Sequence, residues 1–389
     1  MQRQSTGASR PRITHVVRQF WPQQGGLEES VRQLCVTLRR DFDLEVDVVT
    51  LDRTFSDGLT HPAIDSVDGI PVRRIGYWGS TRYPLAPEFI KATAGADLIH
   101  VHAIDFFFDS LALARSFRGT PLVASTHGGF FHTQFAARLK EVYFATATRA
   151  ACRAYDLIGA SSEADAERFR TIAGDRVEVI ENGVDIAKWA NAASPAFVPV
   201  MLAFGRWSSN KNMAALFPLL RELRRYRPDW RLLIAGKAHD VARSDLDAWA
   251  AAAGVSDAIE IHDAPDTAAL GRLIGRASFF ISLSDYEGFG ISVVEGLSAG
   301  MVPILSDIAN YRIFIDRAGV GAIVGADAAA AAQIVTSLAK QVETGAGAHR
   351  RRAIAAADRY EWSAVAARWN SAYAGALARR RGDINRAAA

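Results

Sequence analysis

Short unbroken apolar runs alternate along the chain with longer stretches whose apolar residues fall at helical spacing. The runs at 13–20, 44–51, 70–75, 97–102, 121–126, 156–160 and 177–180 have the length and character of buried strands. After the first run, Leu27, Val31, Leu34, Cys35 and Leu38 recur on one helix face, and further helical patterns cover 109–117 and 164–172. The alternation restarts with runs at 200–204, 231–234, 259–262, 279–283 and 302–305. A helix is predicted over 213–225, and another from about Ser292 that Gly300 and Pro303 stop. The remainder reads as helical, ending in 360–381. Strands alternating with helices predict mostly parallel sheets covered on both faces. The expected architecture is therefore α/β, with two doubly wound Rossmann-like domains. Residues 1–12 form a polar, disordered tail, 13–190 the first domain, 191–199 a linker rich in Ala, Ser and Pro, 200–360 the second domain, and 361–389 a closing helix and basic tail.

Length supports this division, since 389 residues can bury two sizeable cores. A net charge of +3 is too small to argue for nucleic acid as a partner. The two cysteines, Cys35 and Cys152, both fall in helical patterns, so no disulfide framework is expected. There is no run of 18 apolar residues and no signal-peptide pattern, and the expected location is cytoplasmic.

The densest chemistry lies in 278–307, which reads as strand, polar loop, helix, strand. The loop carries Asp285, Glu287, Gly288 and Gly290; its glycines let backbone approach a ligand, and the helix start offers free N–H groups to an anion. Glu295 either closes a capping box with Ser292 or accepts two ribose hydroxyls. Glu287 is either a solvated loop acid or, because it follows a strand's carboxyl end where open α/β sheets bind ligands, an acceptor for sugar hydroxyls. Arg206 and Lys211 sit between the strand at 200–204 and the next helix. Two basic loop residues are often merely solvated, but fixed cations there would stabilise the charge gained by a departing nucleoside diphosphate.

Three further features invite a choice. Gly25-Gly26 is a tight turn or a bare loop beside a diphosphate. His127, in Thr126-His127-Gly128-Gly129, ends a strand and is structural or ligand-contacting. His100 and His102 are not spaced like the ligands of a recognisable metal site and read as packing or acceptor-side residues. Asp263 ends a strand where it can face the nucleotide. The strings Asp41-Asp43 and Asp245-Asp247 lie on helical or loop surfaces and are discounted as metal sites.

The run EGFGISVVEGLSAGMVPILSD resembles the retaining glycosyltransferases of family four, whose signature is this Glu-to-Glu spacing around a GFG loop. Glu181-Asn182-Gly183-Val184-Asp185 and the first-turn glycine pair belong to the same resemblance, which spans 13–375. Within the family, His15-Val-Val-Arg18-Gln19-Phe20 followed by Gly25-Gly26-Leu27-Glu28-Glu29 looks like the α-mannosyltransferases of xanthan and acetan assembly.

The resemblance implies two domains facing a cleft (the GT-B fold), with the last helix crossing back to the first. It implies sugar transfer with retention, with His127, Glu287, Arg206 and Lys211 catalytic. The donor would be held by Gly26, Arg206, Lys211, Gly288, Phe289, Gly290, Ile291, Ser292 and Glu295. The donor implied is GDP-mannose, and the acceptor cellobiose linked through diphosphate to a polyprenol. No metal or other cofactor is expected, because two cations already face the diphosphate. A lipid-linked acceptor suits a peripheral place on the cytoplasmic face of the membrane. Phe130-Phe131 and 135–155, with Arg138, Lys140, Arg149 and Arg153, are either a surface for anionic lipid or a buried helix with a solvated basic side. Rival readings are a nicotinamide dehydrogenase, which lacks its GxGxxG after the first strand, a sugar-nucleotide epimerase, which has no need of the glutamate spacing, and a non-enzymatic scaffold.

Overall fold

The computed structural model describes residues 10–23, 25–81, 83–127 and 141–388. Its contacts divide the chain into two units: residues up to Gly183 together with those from Trp362 on, and Val184–Glu361.

The first unit is built on β1 (Arg12–Val16), β2 (Glu45–Leu51), β3 (Ile64–Val67), β4 (Ile70–Ile75), β7 (Leu98–His102), β8 (Leu122–Ser125), β9 (Leu157–Ala160) and β10 (Val177–Val179), with a separate hairpin β5 (Trp78–Ser80) and β6 (Tyr83–Leu85). The sheet order is β10-β9-β8-β7-β1-β2-β4-β3. All pairings are parallel except β3 with β4 at the edge. Helices α1 (Gly26–Asp41), α2 (Phe106–Arg118) and α3 (Glu163–Ala173) connect the strands. The fully buried pattern of β7, β8 and β9 matches strands covered on both faces.

In the second unit β11 (Val200–Phe204), β12 (Arg231–Gly236), β13 (Ile259–Asp263), β14 (Phe279–Ser282), β15 (Val302–Ser306) and β16 (Ala322–Val324) pair in the order β13-β12-β11-β14-β15-β16, all parallel. Its helices are α4 (Leu216–Tyr226), α5 (Arg243–Ala253), α6 (Thr267–Ile274), α7 (Ile291–Ala299), α8 (Ala309–Ala318) and α9 (Ala328–Ala357). In chain order this is the 3-2-1-4-5-6 arrangement of a doubly wound dinucleotide-binding sheet.

Two expected boundaries move. Order begins ahead of residue 13: Arg12 opens β1, its backbone N–H donating to Asp97 at 2.8 Å and its guanidinium pairing with Asp47. Residues 1–9 of the expected tail lie outside the described residues. The stretch 191–199 is a strap fixed to the second unit rather than a linker. Val184, Trp189 and Ala193 belong to that unit's core, and the N–H groups of Asn191, Ala193 and Ser194 donate to Ser298, Ala299 and Ala277 at 2.9–3.1 Å. Arg350 closes the strap from outside, donating to the carbonyls of Ala193 and Ser194 at 2.8 and 3.0 Å. The chain passes between units at Gly183–Val184 and returns at Glu361–Trp362.

The last helix, α10 (Trp362–Ala388), packs within the first unit, against α1. Glycines make room for it. A Cβ on Gly159 would lie 2.3 Å from the Trp369 ring, and one on Gly183 2.3 Å from Trp362. Cys35 and Cys152 are buried free thiols in helices.

Candidate active site

Between β11 and β14 the sheet order of the second unit reverses, so the loops leaving their carboxyl ends part to opposite faces and open a crevice. Both acid- and cation-bearing loops leave from it. Gly205, at φ 133°, turns the chain after β11, and its carbonyl oxygen occupies the place where a side chain on Gly236 would sit, 1.7 Å away. The two loops are then laced together. Asp285 N–H donates to the Asn210 carbonyl at 2.9 Å, Asn210 Nδ2 to the Tyr286 carbonyl at 3.1 Å, and Asn212 Nδ2 to Asp285 Oδ1 at 3.0 Å.

That lacing holds Lys211 against Glu287, whose Oε1 accepts from Lys211 Nζ and from Ser284 Oγ, the latter at 3.0 Å. The two side chains are 22% and 12% exposed, so neither is merely solvated. Beneath them, Asn310 Nδ2 donates to the carbonyls of Glu287 and Gly288 at 2.7 and 3.0 Å, fixing the loop backbone. Tyr311 OH lies 2.8 Å from Ser282 Oγ and donates to Ser284 Oγ at 3.3 Å. Burial, and then the Glu287 charge, raise its phenol above the ordinary range. Arg206 is exposed and lines a small pocket with Gly205, Lys211, Ser282 and Leu283. Among the described residues no carboxylate pairs with it.

Gly290, at φ 105°, precedes α7, where a Cβ would press on Phe314 and Val293, and no side chain caps the helix start. The first N–H groups of α7 are thus left without a side-chain cap, the arrangement that suits an anion. The Phe289 side chain is core, packed at 5.8 and 5.5 Å between ring centres on Phe314 and Tyr360, so any donor contact it makes is through backbone. The capping-box reading of Glu295 does not hold, because α7 begins at Ile291 and leaves Ser292 as its second residue and Glu295 as its fifth. Glu295 stands beside Lys188, with Nζ at 4.0 Å. Burial raises its carboxyl pKa, against the opposing pull of Lys188 and of the nearby Trp189 indole, whose N–H falls short of hydrogen-bond geometry.

In the first unit the order reverses between β1 and β7. Gly25 is extended and Gly26 is the first residue of α1; neither has positive φ, so the tight-turn reading fails, and a Cβ on Gly26 would meet nothing within 4 Å. His127 follows β8 at φ 51°. Behind it stands a row that sequence spacing did not reveal: register pairs His15 with His100, and His102 lies one face-step on. His15 Nδ1 is 2.8 Å from His102 Nε2, and His102 Nδ1 is 3.0 Å from His127 Nε2. His100 bonds Tyr373 OH and Ser125 Oγ, each at 2.7 Å. Ring nitrogens of His15, His100 and His102 come within 4.8 Å of one another, a convergence of two strands that no local spacing announces. Burial lowers His127 to about 4, opposed by a hydrogen bond with the Asn182 side chain.

The Asp-x-Asp strings are otherwise employed. Asp41 pairs with Arg40, Asp43 with Arg10, Asp245 accepts from the Ala242 N–H, and Asp247 pairs with Arg243. Of the expected membrane surface, 128–140 lies outside the described residues; beyond it Phe144 and Tyr155 are buried while Arg149 and Arg153 are exposed. No described helix is long and apolar enough to cross a membrane.

Two doubly wound α/β units, with cations, a carboxylate and an open helix start at the switch point of the second, are the marks of a GT-B glycosyltransferase. The fold is shared with sucrose-phosphate synthase from Thermosynechococcus elongatus (TM-score 0.70, 19% identity, 95% of this chain and 100% of that one) and with Anabaena HepE solved in complex with UDP and glucose (TM-score 0.70, 16% identity, 94% and 99%). The model of Glycosyltransferase Family 4 matches residues 24–188, and that of Glycosyl transferases group 1 matches 190–359. The chain is 42% identical over 369 residues to the GDP-mannose:cellobiosyl-diphosphopolyprenol alpha-mannosyltransferase of Xanthomonas oryzae pv. oryzae (strain PXO99A), covering 94% of this chain and 97% of that one. It is 41% identical over 379 residues to the protein of the same name from Komagataeibacter xylinus, covering 97% and 96%. The chain belongs to glycosyltransferase family four.

Proposed function

We propose that the chain transfers mannose from GDP-mannose to cellobiosyl-diphosphopolyprenol, with retention at the anomeric carbon and without a metal ion. The observation that carries the substrates is the near-complete, 41–42% identity to proteins named for that donor and acceptor. The chemistry rests on the Lys211–Glu287 pair. Glu287 holds sugar hydroxyls, while Lys211, Arg206 and the first N–H groups of α7 hold the diphosphate, so the pair spans the bond that breaks. As the C1–O bond lengthens, positive charge grows on the sugar and negative charge on the diphosphate, and groups already fixed on either side stabilise both. The leaving phosphate oxygen takes the acceptor hydroxyl's proton, which keeps attack on the same face. Glu295 accepts the ribose hydroxyls, and His127 contacts the donor sugar. A polyprenol-linked acceptor brings the protein to a membrane surface as a peripheral partner. Exposed Trp78, Leu85, Leu113 and Phe117 on the first unit suit such a contact.

The test is incubation of the purified protein with radiolabelled GDP-mannose, UDP-glucose or GDP-glucose and the lipid-linked disaccharide. Labelled lipid should form from GDP-mannose alone and lose its label to α-mannosidase. Label passing from another donor, or a β-linked product, would refute the respective part. Conversion of the free sugar nucleotide to an epimer would mark the chain as an epimerase.

A further inference from the structure

The chemistry above uses His127 but not the two histidines behind it. His15 and His102 are 0% and 1% exposed, and their rings stack at 5.1 Å with 14° between planes. The hydrogen bonds run in one row, from His15 Nδ1 to His102 Nε2 and from His102 Nδ1 to His127 Nε2. His100 stands outside the row, both of its nitrogens being taken by hydroxyl groups. At the far end, His15 Nε2 is buried and has no hydrogen-bond partner among the described residues.

A neutral imidazole has one donor nitrogen and one acceptor nitrogen, so a row of three has a single polarity. Either each ring donates toward His127, or each donates toward His15. The blind end decides between them. With donation toward His127, His15 Nε2 is an unused lone pair. With the reverse, it is a buried N–H with no acceptor among the described residues, and orphaned buried N–H groups are rarer than under-used acceptors. Protonating His127 would make both its nitrogens donors and would force that reverse polarity on the whole row.

We propose that the row fixes His127 as a neutral imidazole carrying its proton on Nδ1, so that it donates a hydrogen bond to the donor sugar and does not exchange a proton during transfer. His102 and His15 are positioning residues. The functional half rests on the reading of His127 as part of the donor site. Desolvation acts in the same sense, holding His15 at about 3 and His102 well below the ordinary histidine range. In the free protein the Asn182 side chain is a hydrogen-bond partner at hand for His127. A neutral His127 also leaves the acceptor's proton to the leaving phosphate oxygen.

The experiment is a long-range nitrogen–proton spectrum of the full chain labelled in its histidine rings, with His127 assigned by its loss in H127Q. The expected result at neutral pH is a pyrrole-type Nδ1 and a pyridine-type Nε2. A pyrrole-type Nε2, alone or with Nδ1, overturns the proposal. H102L removes the donor, and the Nδ1–H signature should be lost with a fall in turnover of about tenfold or more, the order seen when a residue orienting a site group is removed. H102Q, whose amide N–H can stand in, should restore the signature and recover part of that loss. Retention of both signature and turnover in H102L overturns the positioning role; if that variant does not fold, the wild-type spectrum still decides the tautomer. Wild-type turnover in H127Q would overturn the donor-site reading, and the functional half with it, while leaving the tautomer legible.

Discussion

Lys211 and Glu287, 76 residues apart in the chain, meet as an ion pair where the second sheet reverses its order. The pair is largely shielded from water, so each charge has a fixed partner before any ligand arrives. Lys211→Ala and Glu287→Gln should each slow turnover by an amount equal to about 2–4 kcal/mol of transition-state stabilisation, with Glu287→Gln acting more on turnover than on nucleotide affinity. The double variant should fall well short of the sum, because residues in contact are not additive. Additive effects in a kinetic cycle would mean that the pair does not act as a unit.

Arg206 offers a cleaner reading of the diphosphate subsite, since it is exposed and no carboxylate among the described residues pairs with it. Arg206→Ala should weaken GDP binding and turnover by a similar amount while leaving the melting temperature unchanged. Titration calorimetry with GDP alongside a thermal melt checks this, and unchanged GDP affinity removes Arg206 from the site.

Glu295→Gln separates ribose binding from helix stability. With the helix starting at Ile291, Glu295 caps nothing, so its substitution should leave stability intact and lower nucleoside-diphosphate affinity. A drop in melting temperature as the only effect would make this acid structural.

Turnover should persist in EDTA at full rate. Complete loss on chelation, restored by a single divalent ion, would contradict the metal-free chemistry proposed above.

Acid should weaken the first unit through its buried histidines. His15 titrates near 6.5 in the unfolded chain but at about 3 when folded. Between those values the unfolded chain binds the extra proton, so stability falls as pH drops below about 6.5, by about 2 kcal/mol at pH 5 for this one group. Asp105, raised to about 6 by burial, acts oppositely between about 4 and 6, gaining stability as pH falls. The histidine contribution is therefore read by difference: His15→Phe should flatten the loss of stability between pH 7 and 5 in chemical denaturation. Parallel curves for the two proteins would show that His15 does not titrate on unfolding.

Much of the second unit was legible because its signals are local. Gly288 and Gly290, Glu287 and Glu295 lie in one strand–loop–helix, and Arg206 with Lys211 in another, so adjacency in sequence already put them in one loop each. What joins the two loops, the Asn210, Asn212 and Asn310 side chains, is polar and aperiodic and left no pattern. Ala322–Val324 escaped as a strand because three residues are too few to show a period, and β3 because its edge position leaves most of it exposed. The strap at 191–199 looked like a linker from its composition, whereas its backbone bonds to residues about a hundred positions away fix it. The histidine row was invisible for the same reason: its order is set by register between β1 and β7, not by spacing within either.

The room that Gly159 leaves for Trp369 has a temporal consequence. Synthesis delivers residues up to Gly183 early, yet the layer that closes their sheet, carrying Trp369 and Tyr373, emerges only after the whole of Val184–Glu361. Val184–Glu361, by contrast, is contiguous and can close as soon as it emerges. Of the two units, the one begun first is thus completed second, and until the closing helix emerges the apolar face around His100 and Gly159 has nothing of its own to cover it.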